Sequence, residues 1–276
     1  MSKPSILVSA ATLLLAASAK AITIYGLGAG GQLYSFDSAS PGTVNAIGSA
    51  TAAGTVDIDF RGSNNRLYAI SATGATSNVS VSNGMLTPLF TPAVSLGGNV
   101  SAFDFNPTAD RMRIVVDGVN NFRMVPDGIS GVTAGTVVNG TAGDGMFAVP
   151  VSVTLLDVAY TNPFNGIAGT SLYSIGSDGI LYTHPASGAP QFNTLAAVGS
   201  LGISLAGDIG FDIDASGTGY LVSGSSFYTV NLMTGSASLV GSLGQSLTGI
   251  AVVPEPSAIL LGSIAGLGLL RRRRTA

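Results

Sequence analysis

The sequence of 276 residues contains no cysteine, one histidine and one glutamate. Without cysteine the fold has no disulfide, and zinc–thiolate sites, iron–sulfur clusters and a cysteine nucleophile are excluded. The glutamate, Glu255, lies near the C-terminus, so carboxylate chemistry elsewhere depends on aspartates. These absences remove several classes of enzyme and leave packing as the source of stability.

Basic side chains are also scarce. Between Lys20 and Val253, six cations accompany thirteen aspartates, which gives this segment a net charge of −7. Lys3, Glu255 and four C-terminal arginines bring the whole chain to −3. An acidic segment with so few cations argues against a phosphate-binding surface. We therefore expect no nucleic-acid partner.

The N-terminus has the composition of a secretory signal. Lys3 precedes an apolar run over Ile6–Ala17, and the run ends in the small residues Ala17-Ser18-Ala19. This order predicts export, with a signal peptide over residues 1–19 that is removed after Ala19 or, as a second choice, after Ala21. The alternative is a buried N-terminal helix.

The tail, residues 253–276, has three parts in succession. The triplet Pro254-Glu255-Pro256 precedes an apolar run over residues 258–270, which four arginines follow. A helix of this run is about 20 Å long. A bilayer core is roughly 30 Å thick, but arginine stems can extend to the interface. The pattern predicts a transmembrane segment, with the body outside the cytoplasm and the following residues inside it: Arg271, Arg272, Arg273 and Arg274. The alternative is a helix packed on a soluble domain.

The tail resembles the PEP-CTERM sorting signal of Gram-negative bacteria, and the matching residues are Val253, Pro254, Glu255, Pro256 and Ser257. The resemblance implies that an exosortase, a membrane-embedded cysteine transpeptidase, recognises the triplet and processes the tail. It also implies an association with extracellular polysaccharide. The expected location is the inner membrane before processing, and the cell surface, outer envelope or extracellular matrix afterwards.

The body, residues 22–252, lacks helical periodicity. Short apolar or alternating runs bounded by Gly, Asn, Asp and Ser predict β-strands. One run recurs at intervals of about 40 to 55 residues, the period of propeller blades. It occurs as Thr55–Phe60, Val100–Phe105, Leu155–Tyr160, Ile209–Ile213 and Leu247–Val252. The first four of these runs are each followed by further strands, whereas the last has no successor.

The start of the body complements its end. Three strands, Ile22–Tyr25, Gln32–Phe36 and Thr43–Ile47, have no recurrent run before them. Pairing the two ends predicts an all-β propeller of five four-stranded blades, closed so that no inner sheet edge is free. An open β-sandwich and a six-bladed propeller are the alternatives.

A second resemblance covers nearly the whole body. The runs FDFNPTADRMRIV at 103–115, Asn120–Arg123, Ala159–Asn162 and Gly210–Ile213 resemble an uncharacterised repeat-domain family of secreted bacterial proteins. This resemblance supports the fold and export and implies no activity.

The sequence offers no catalytic constellation. His184, in Tyr182-Thr-His-Pro185, fits a surface turn better than a hydrolytic triad. Five aspartates recur at equivalent places in the repeats, which favours a structural role as acceptors for strand-end or turn amides: Asp57, Asp59, Asp104, Asp157 and Asp212. An aspartate-dependent glycan hydrolase or lyase remains the alternative, because glycosidases need paired carboxyl groups.

Two polar groups are candidates for binding. Asp212, Asp214 and Ser216 have the spacing of a calcium loop but lack its final glutamate, and we predict neither a metal nor a cofactor. Arg111, Arg113 and Arg123 are half of the cations of the body. They form either an ion-pair network with nearby aspartates or a patch that binds an anionic polysaccharide. The aspartates concerned are Asp110, Asp117 and Asp127.

Together these features predict an exported, membrane- or surface-anchored binding or matrix protein rather than an enzyme.

Overall fold

The computed structural model describes residues 21–50, 53–185 and 192–254. These residues form twenty β-strands in five antiparallel sheets of four strands each. No α-helix occurs in these three ranges, whose helical backbone consists of two 3-10 turns, Ala29–Gly31 and Gly140–Ala142. The predicted all-β class is confirmed.

The five sheets are the blades of a propeller. Blade 1 contains β1 Thr23–Gly28, β2 Leu33–Asp37, β3 Ser40–Ile47 and, from the other end of the chain, β20 Leu247–Val252. Blade 2 contains β4 Thr55–Arg61, β5 Arg66–Ser71, β6 Thr76–Val79 and β7 Leu86–Phe90. Blade 3 contains β8 Val100–Asn106, β9 Arg111–Val116, β10 Asn120–Met124 and β11 Gly145–Met146. Blade 4 contains β12 Leu155–Tyr160, β13 Leu172–Gly176, β14 Ile180–His184 and β15 Ala196–Ser200. Blade 5 contains β16 Ile209–Ile213, β17 Gly219–Ser223, β18 Ser226–Val230 and β19 Ala237–Ser242.

The recurrent run forms the inner strand of every blade. The five inner strands are β4, β8, β12, β16 and β20, and they neighbour one another around the axis. An inner strand packs against blades on both of its faces, which explains why most of its residues are buried. All five residues of β16, for example, are buried.

The two ends of the body close the propeller. β20 pairs antiparallel with β1, so that Ile24 lies opposite Val252 and Tyr25 opposite Ala251. The strand order β20-β1-β2-β3 completes blade 1. The five-bladed prediction is confirmed, and the sandwich and six-bladed alternatives are wrong.

The hydrophobic core is divided among the five junctions between blades. Ile70 of blade 2 packs in one cluster with Val100 of blade 3, and Ile24 of blade 1 shares another with Val222 of blade 5. Three further clusters fill the junctions between blades 1 and 2, 4 and 5, and 3 and 4. The junction between blades 5 and 1 forms only when β20 pairs with β1. Closure of the propeller therefore completes the hydrophobic core.

Blade 3 departs from the repeat. Its outer strand β11 has two residues, and the connection 125–144 before it is long and largely irregular. This connection carries Asp127 and Asp144, which pair with Arg61 and Arg113.

In the part of the chain that the structure describes, no helix is long and apolar enough to cross a membrane. The predicted signal peptide 1–19, with Ala17 and Ala19, lies outside the described residues, as do the span 258–270 and Arg271–Arg274. Of the sorting residues, Val253 and Pro254 are described, whereas Glu255, Pro256 and Ser257 are not.

Candidate functional site

Five buried aspartates surround the axis of the propeller in two layers. In the first layer Asp57 and Asp157 occupy the place that small residues take in the other blades: Ala102, Gly210 and Gly249. The second layer contains Asp59, Asp104 and Asp212, with Ala159 and Ala251 as the small residues. The aspartates are 3% to 7% exposed. Their equivalence in the repeats is thus real but falls on two positions of the inner strand.

Each aspartate accepts a hydrogen bond from a main-chain N–H of the next blade. The Asp57 carboxyl accepts from Phe103 N at 3.0 Å, and that of Asp104 accepts from Tyr160 N at 2.8 Å. The remaining donors are Phe105 N to Asp59, Phe211 N to Asp157 and Val252 N to Asp212. An inner strand has a hydrogen-bonded neighbour on one side alone, so amides on its axial side need other acceptors. The structural role predicted for these residues is observed, with amides of neighbouring strands in place of turn amides.

Burial makes these carboxyl groups weak acids. Desolvation is the largest cause, and it raises the pKa of Asp57 to about 8 and that of Asp212 to about 7, while main-chain donors partly oppose it. Burial also raises the pKa of Asp59, Asp104 and Asp157 well above 3.8, and repulsion between the carboxylates adds to the effect. Repulsion from Asp59 is the second cause that raises the pKa of Asp104, after burial.

We predict that the domain becomes less stable as the pH rises from about 5 to about 8. The folded-state pKa of Asp57 is about 8, against 3.8 for an unperturbed aspartate. Between these values the folded protein holds protons that the unfolded chain has lost. The contribution of Asp57 to the free energy of unfolding is therefore fully present below about pH 4 and is lost as the pH approaches 8. Since one pKa unit corresponds to about 1.4 kcal/mol, the loss is on the order of several kcal/mol.

Urea unfolding at a series of pH values measures this effect. Asp57→Asn should flatten the pH profile, because the amide does not titrate. Asp208→Asn is the matched control, since Asp208 is exposed and its side chain has no partner among the described residues. A wild-type profile that rises or stays level over this range contradicts the prediction.

The three predicted arginines occupy different environments. Arg113 is 1% exposed, and its guanidinium donates to Tyr160 Oη at 3.0 Å, Asn121 Oδ1 at 2.6 Å and Asp144 Oδ2 at 2.9 Å. Arg123 binds the same carboxylate through two nitrogens. Asp144 thus accepts from both arginines and is itself fully buried. Arg113 and Arg123 form an ion-pair group whose acceptor comes from the irregular connection.

The aspartates that we predicted to pair with these arginines have other partners. Asp110 binds the buried guanidinium of Arg61 through both of its oxygens, each at 2.7 Å, and Asp127 binds the same group. Asp117 accepts the main-chain N–H of Asn99 at 3.0 Å. Arg111 donates to the carbonyl groups of Ala109 and Asp110. The structure therefore does not bring Arg111, Arg113 and Arg123 together as one exposed patch.

The predicted surface position of His184 is wrong, because the residue ends β14 and is 2% exposed. Its Nδ1 lies 2.9 Å from the carbonyl oxygen of Phe192, which can only accept. Nδ1 therefore carries the proton, and Nε2 accepts from Ser174 Oγ at 2.8 Å. Burial lowers the pKa of His184 to about 4, so the ring is neutral. Ser174 is fully buried, and this serine–histidine pair packs inside blade 4 where a substrate has no access.

The candidate calcium loop holds its carboxylates inward. Asp214 Oδ1 accepts hydrogen bonds from Ser216 N, Ser216 Oγ and Thr218 N, which closes the turn between β16 and β17. Asp212 accepts from two main-chain amides. Within the described ranges no three His, Cys, Asp or Glu side chains are grouped as metal ligands.

Two of the concave surfaces among the described residues adjoin the axis or the end of the closing strand. A cavity of about 390 Å³ lies at the mouth of the axis, where the inner strands begin, and its lining includes Gly30, Thr55, Asp208 and Thr248. A groove of about 430 Å³ lies between blades 1 and 2, with Tyr25, Phe60, Arg66 and Val253 in its lining. Neither surface was predicted from the sequence, because loops of several blades combine to form the first and the chain ends help to form the second.

Comparison with solved structures finds similar chains at low sequence identity. The chain aligns with a structural genomics protein of unknown function from Bacteroides thetaiotaomicron at 13% identity and a TM-score of 0.52, covering 86% of this chain and 68% of the other. A chain of a nidogen/laminin complex aligns at 8% identity and a TM-score of 0.48, over 85% and 98% of the two chains. The extracellular domain of a hybrid two-component system from B. thetaiotaomicron aligns at 10% identity and a TM-score of 0.40, over 79% and 28%. The first of these likenesses supports the propeller fold.

No curated protein matches the chain. One family profile matches residues 32–251, which span the body from β2 to β20. As the second resemblance implied, this family has no assigned activity. The chain belongs to the family described as Domain of unknown function (DUF4394).

Proposed function

We propose that the chain is an exported, membrane- or surface-anchored protein that binds a ligand without transforming it, and that an exosortase sorts it. The observation that carries the non-enzymatic part is the use of the central aspartates. Each of the five accepts a main-chain N–H of the next blade. Carboxyl groups engaged in this way serve the fold and are not free to act on a substrate.

Export and sorting are supported by the two ends of the sequence. The signal-like N-terminus and the triplet, apolar run and arginines of the tail predict a body outside the cytoplasm. The likeness of the tail to PEP-CTERM signals supports exosortase as the processing partner and extracellular polysaccharide as the ligand. The cavity at the mouth of the axis has the size of a small-ligand site, and its hydroxyl and carboxylate groups suit sugar hydroxyls.

An aspartate-dependent glycan hydrolase or lyase is the second candidate. It is favoured by the raised pKa of Asp57 and Asp212, since a glycosidase needs one carboxylic acid that stays protonated near neutral pH. The burial of both side chains argues against it.

Binding and turnover can be separated with the purified chain and two polymers, neutral dextran and the polyuronate alginate. The binding proposal expects co-sedimentation without release of reducing ends or unsaturated uronate. Asp208→Ala should weaken the binding of dextran at the mouth of the axis, and Arg111→Gln should weaken a charge-driven interaction with alginate. Release of products that Asp57→Asn abolishes would establish the enzyme instead, and binding of neither polymer would overturn the polysaccharide assignment.

Processing gives a further prediction. Replacing the Pro254-Glu255-Pro256 triplet by three alanines should leave unprocessed precursor in the inner membrane, where wild-type protein is converted to a shorter form. Protease added to intact spheroplasts should digest the body of both proteins, because only the arginine end is expected inside the cell. Mass spectrometry and immunoblotting report the two results. An unchanged mature mass without the triplet contradicts the sorting proposal, and a protected body contradicts the topology.

A further inference from the structure

The groove between blades 1 and 2 is the place where the tail leaves the body. Val253 follows the closing strand β20 and lines the groove, and its N–H donates to the carbonyl oxygen of Thr23 at 3.2 Å. Pro254, the first residue of the triplet, is buried. The described part of the chain therefore ends beside the groove.

The groove carries a positive charge. Arg66 begins β5 on the groove wall and is exposed, and its guanidinium has no partner among the described residues. The other arginines of the body differ in this respect. Arg61, Arg113 and Arg123 are paired with carboxylates, and Arg111 donates to carbonyl groups. Glu255 is the single glutamate of the chain and follows Pro254 directly.

The remainder of the lining suits a proline-rich segment. Tyr25 and Phe60 pack edge to face with ring centroids 5.6 Å apart, and both line the groove. Aromatic surfaces bind extended proline-containing chains with little entropic cost, because proline is already restricted. Asn78 adds an amide that can bond to the main chain of such a segment.

We propose that this groove binds the chain's own residues 254–257, with the carboxylate of Glu255 on the guanidinium of Arg66 and Pro256 against Tyr25 and Phe60. The occupant is thus the start of the tail, which is tethered at the groove and carries the complementary charge. A soluble ligand or a second copy of the chain would have to displace a segment that is held there at high effective concentration.

The docked triplet would couple processing to folding, a consequence that rests on the proposed function. β20 ends at Val252, so the groove is complete only after the propeller has closed. A sorting enzyme would then meet the triplet on a folded domain in one defined position, and an unfolded chain would present it differently.

The absence of cysteine makes disulfide trapping a direct test. In the full chain, purified in detergent, Ser257→Cys is combined with Ser82→Cys on the groove wall or with Ser216→Cys in the exposed β16–β17 turn of blade 5, on the other side of β20. Oxidation should cross-link Ser257→Cys to the groove position faster than to the blade 5 position. Peptide mapping by mass spectrometry identifies the products.

Charge reversal makes the test specific. Arg66→Glu should lower the rate of cross-linking to the groove by about two- to fivefold, the range expected for one exposed ion pair. Combining Arg66→Glu with Glu255→Arg should restore the rate. Equal rates at the two positions, or a rate insensitive to both charge changes, would overturn the proposal. The assay contains no exosortase. An unchanged mature mass in the triplet-to-alanine variant would therefore contradict the sorting proposal and leave the docking result standing, and the reverse also holds.

Discussion

A chain that ends at Leu247 should fail to fold, whereas a chain that ends at Pro254 should fold normally. The shorter chain lacks most of β20, including the buried Ile250, Ala251 and Val252. Burying one large aliphatic side chain is worth about 1.5–3 kcal/mol, so these residues contribute on the order of 5 kcal/mol. The lost strand also leaves β1 with an unpaired edge and takes away the Val252 N–H bond to Asp212. The total is comparable to the whole stability of a typical domain, about 5–15 kcal/mol.

Circular dichroism and size-exclusion chromatography distinguish the two chains. The longer chain should give a β-sheet spectrum, one cooperative melting transition and a monomer-sized peak. The shorter chain should be unfolded or aggregated, because an open propeller exposes an apolar junction and a strand edge. Ile250→Val in the longer chain is a milder control, expected to cost about 0.5–1.5 kcal/mol. If the shorter chain melts like the longer one, closure by β20 does not hold the fold together.

Most of the fold could be predicted because each inner strand is an apolar run bounded by turn residues and repeated at one period. The pairing of the two ends followed from counting, since the body begins with strands that lack an inner strand and ends with an inner strand that lacks followers. The layers of aspartates were harder to place. A bulge between Thr55 and Asp57 shifts the register of β4 against β5, and the run of letters alone does not show which residues share a layer.

The misassigned polar residues share one cause, which is contact between segments far apart in the sequence. Asp144 reaches Arg113 from a connection that has no strand pattern, and Phe192 holds His184 from beyond the end of its strand. A usable signal exists for Arg113. In the other blades the equivalent residue is Tyr25, Tyr68, Tyr173 or Tyr220. An arginine at a place otherwise taken by an aromatic residue that faces a neighbouring blade indicates a buried charge with a buried partner.

The buried ion-pair group gives the second large expected effect. Arg113→Met should destabilise the domain by about 3–5 kcal/mol, the usual cost of removing one partner from a buried charged pair. Asp144 would keep its ion pair with Arg123 but lose its ion pair with residue 113. Tyr160 and Asn121 would each lose a hydrogen-bond donor. Arg123→Met should cost less, because its side chain is 18% exposed.

Arg111→Met is the matched control for the buried pair. Arg111 donates only to carbonyl groups at a partly exposed position, and surface changes of this kind usually stay within about 0.5 kcal/mol. Denaturant unfolding at constant pH ranks the three variants, and the structure requires the order Arg113, Arg123, Arg111 from the largest loss of stability to the smallest.

Alginate co-sedimentation of the same variants separates an effect on stability from an effect on binding. If Arg113→Met is as stable as Arg111→Met and loses the polymer, Arg113 serves a ligand and not the core. The expected opposite result, a large loss of stability in Arg113→Met that Arg111→Met does not share, assigns Arg113 to the junction between blades 3 and 4, where Tyr160 and Asp144 meet it.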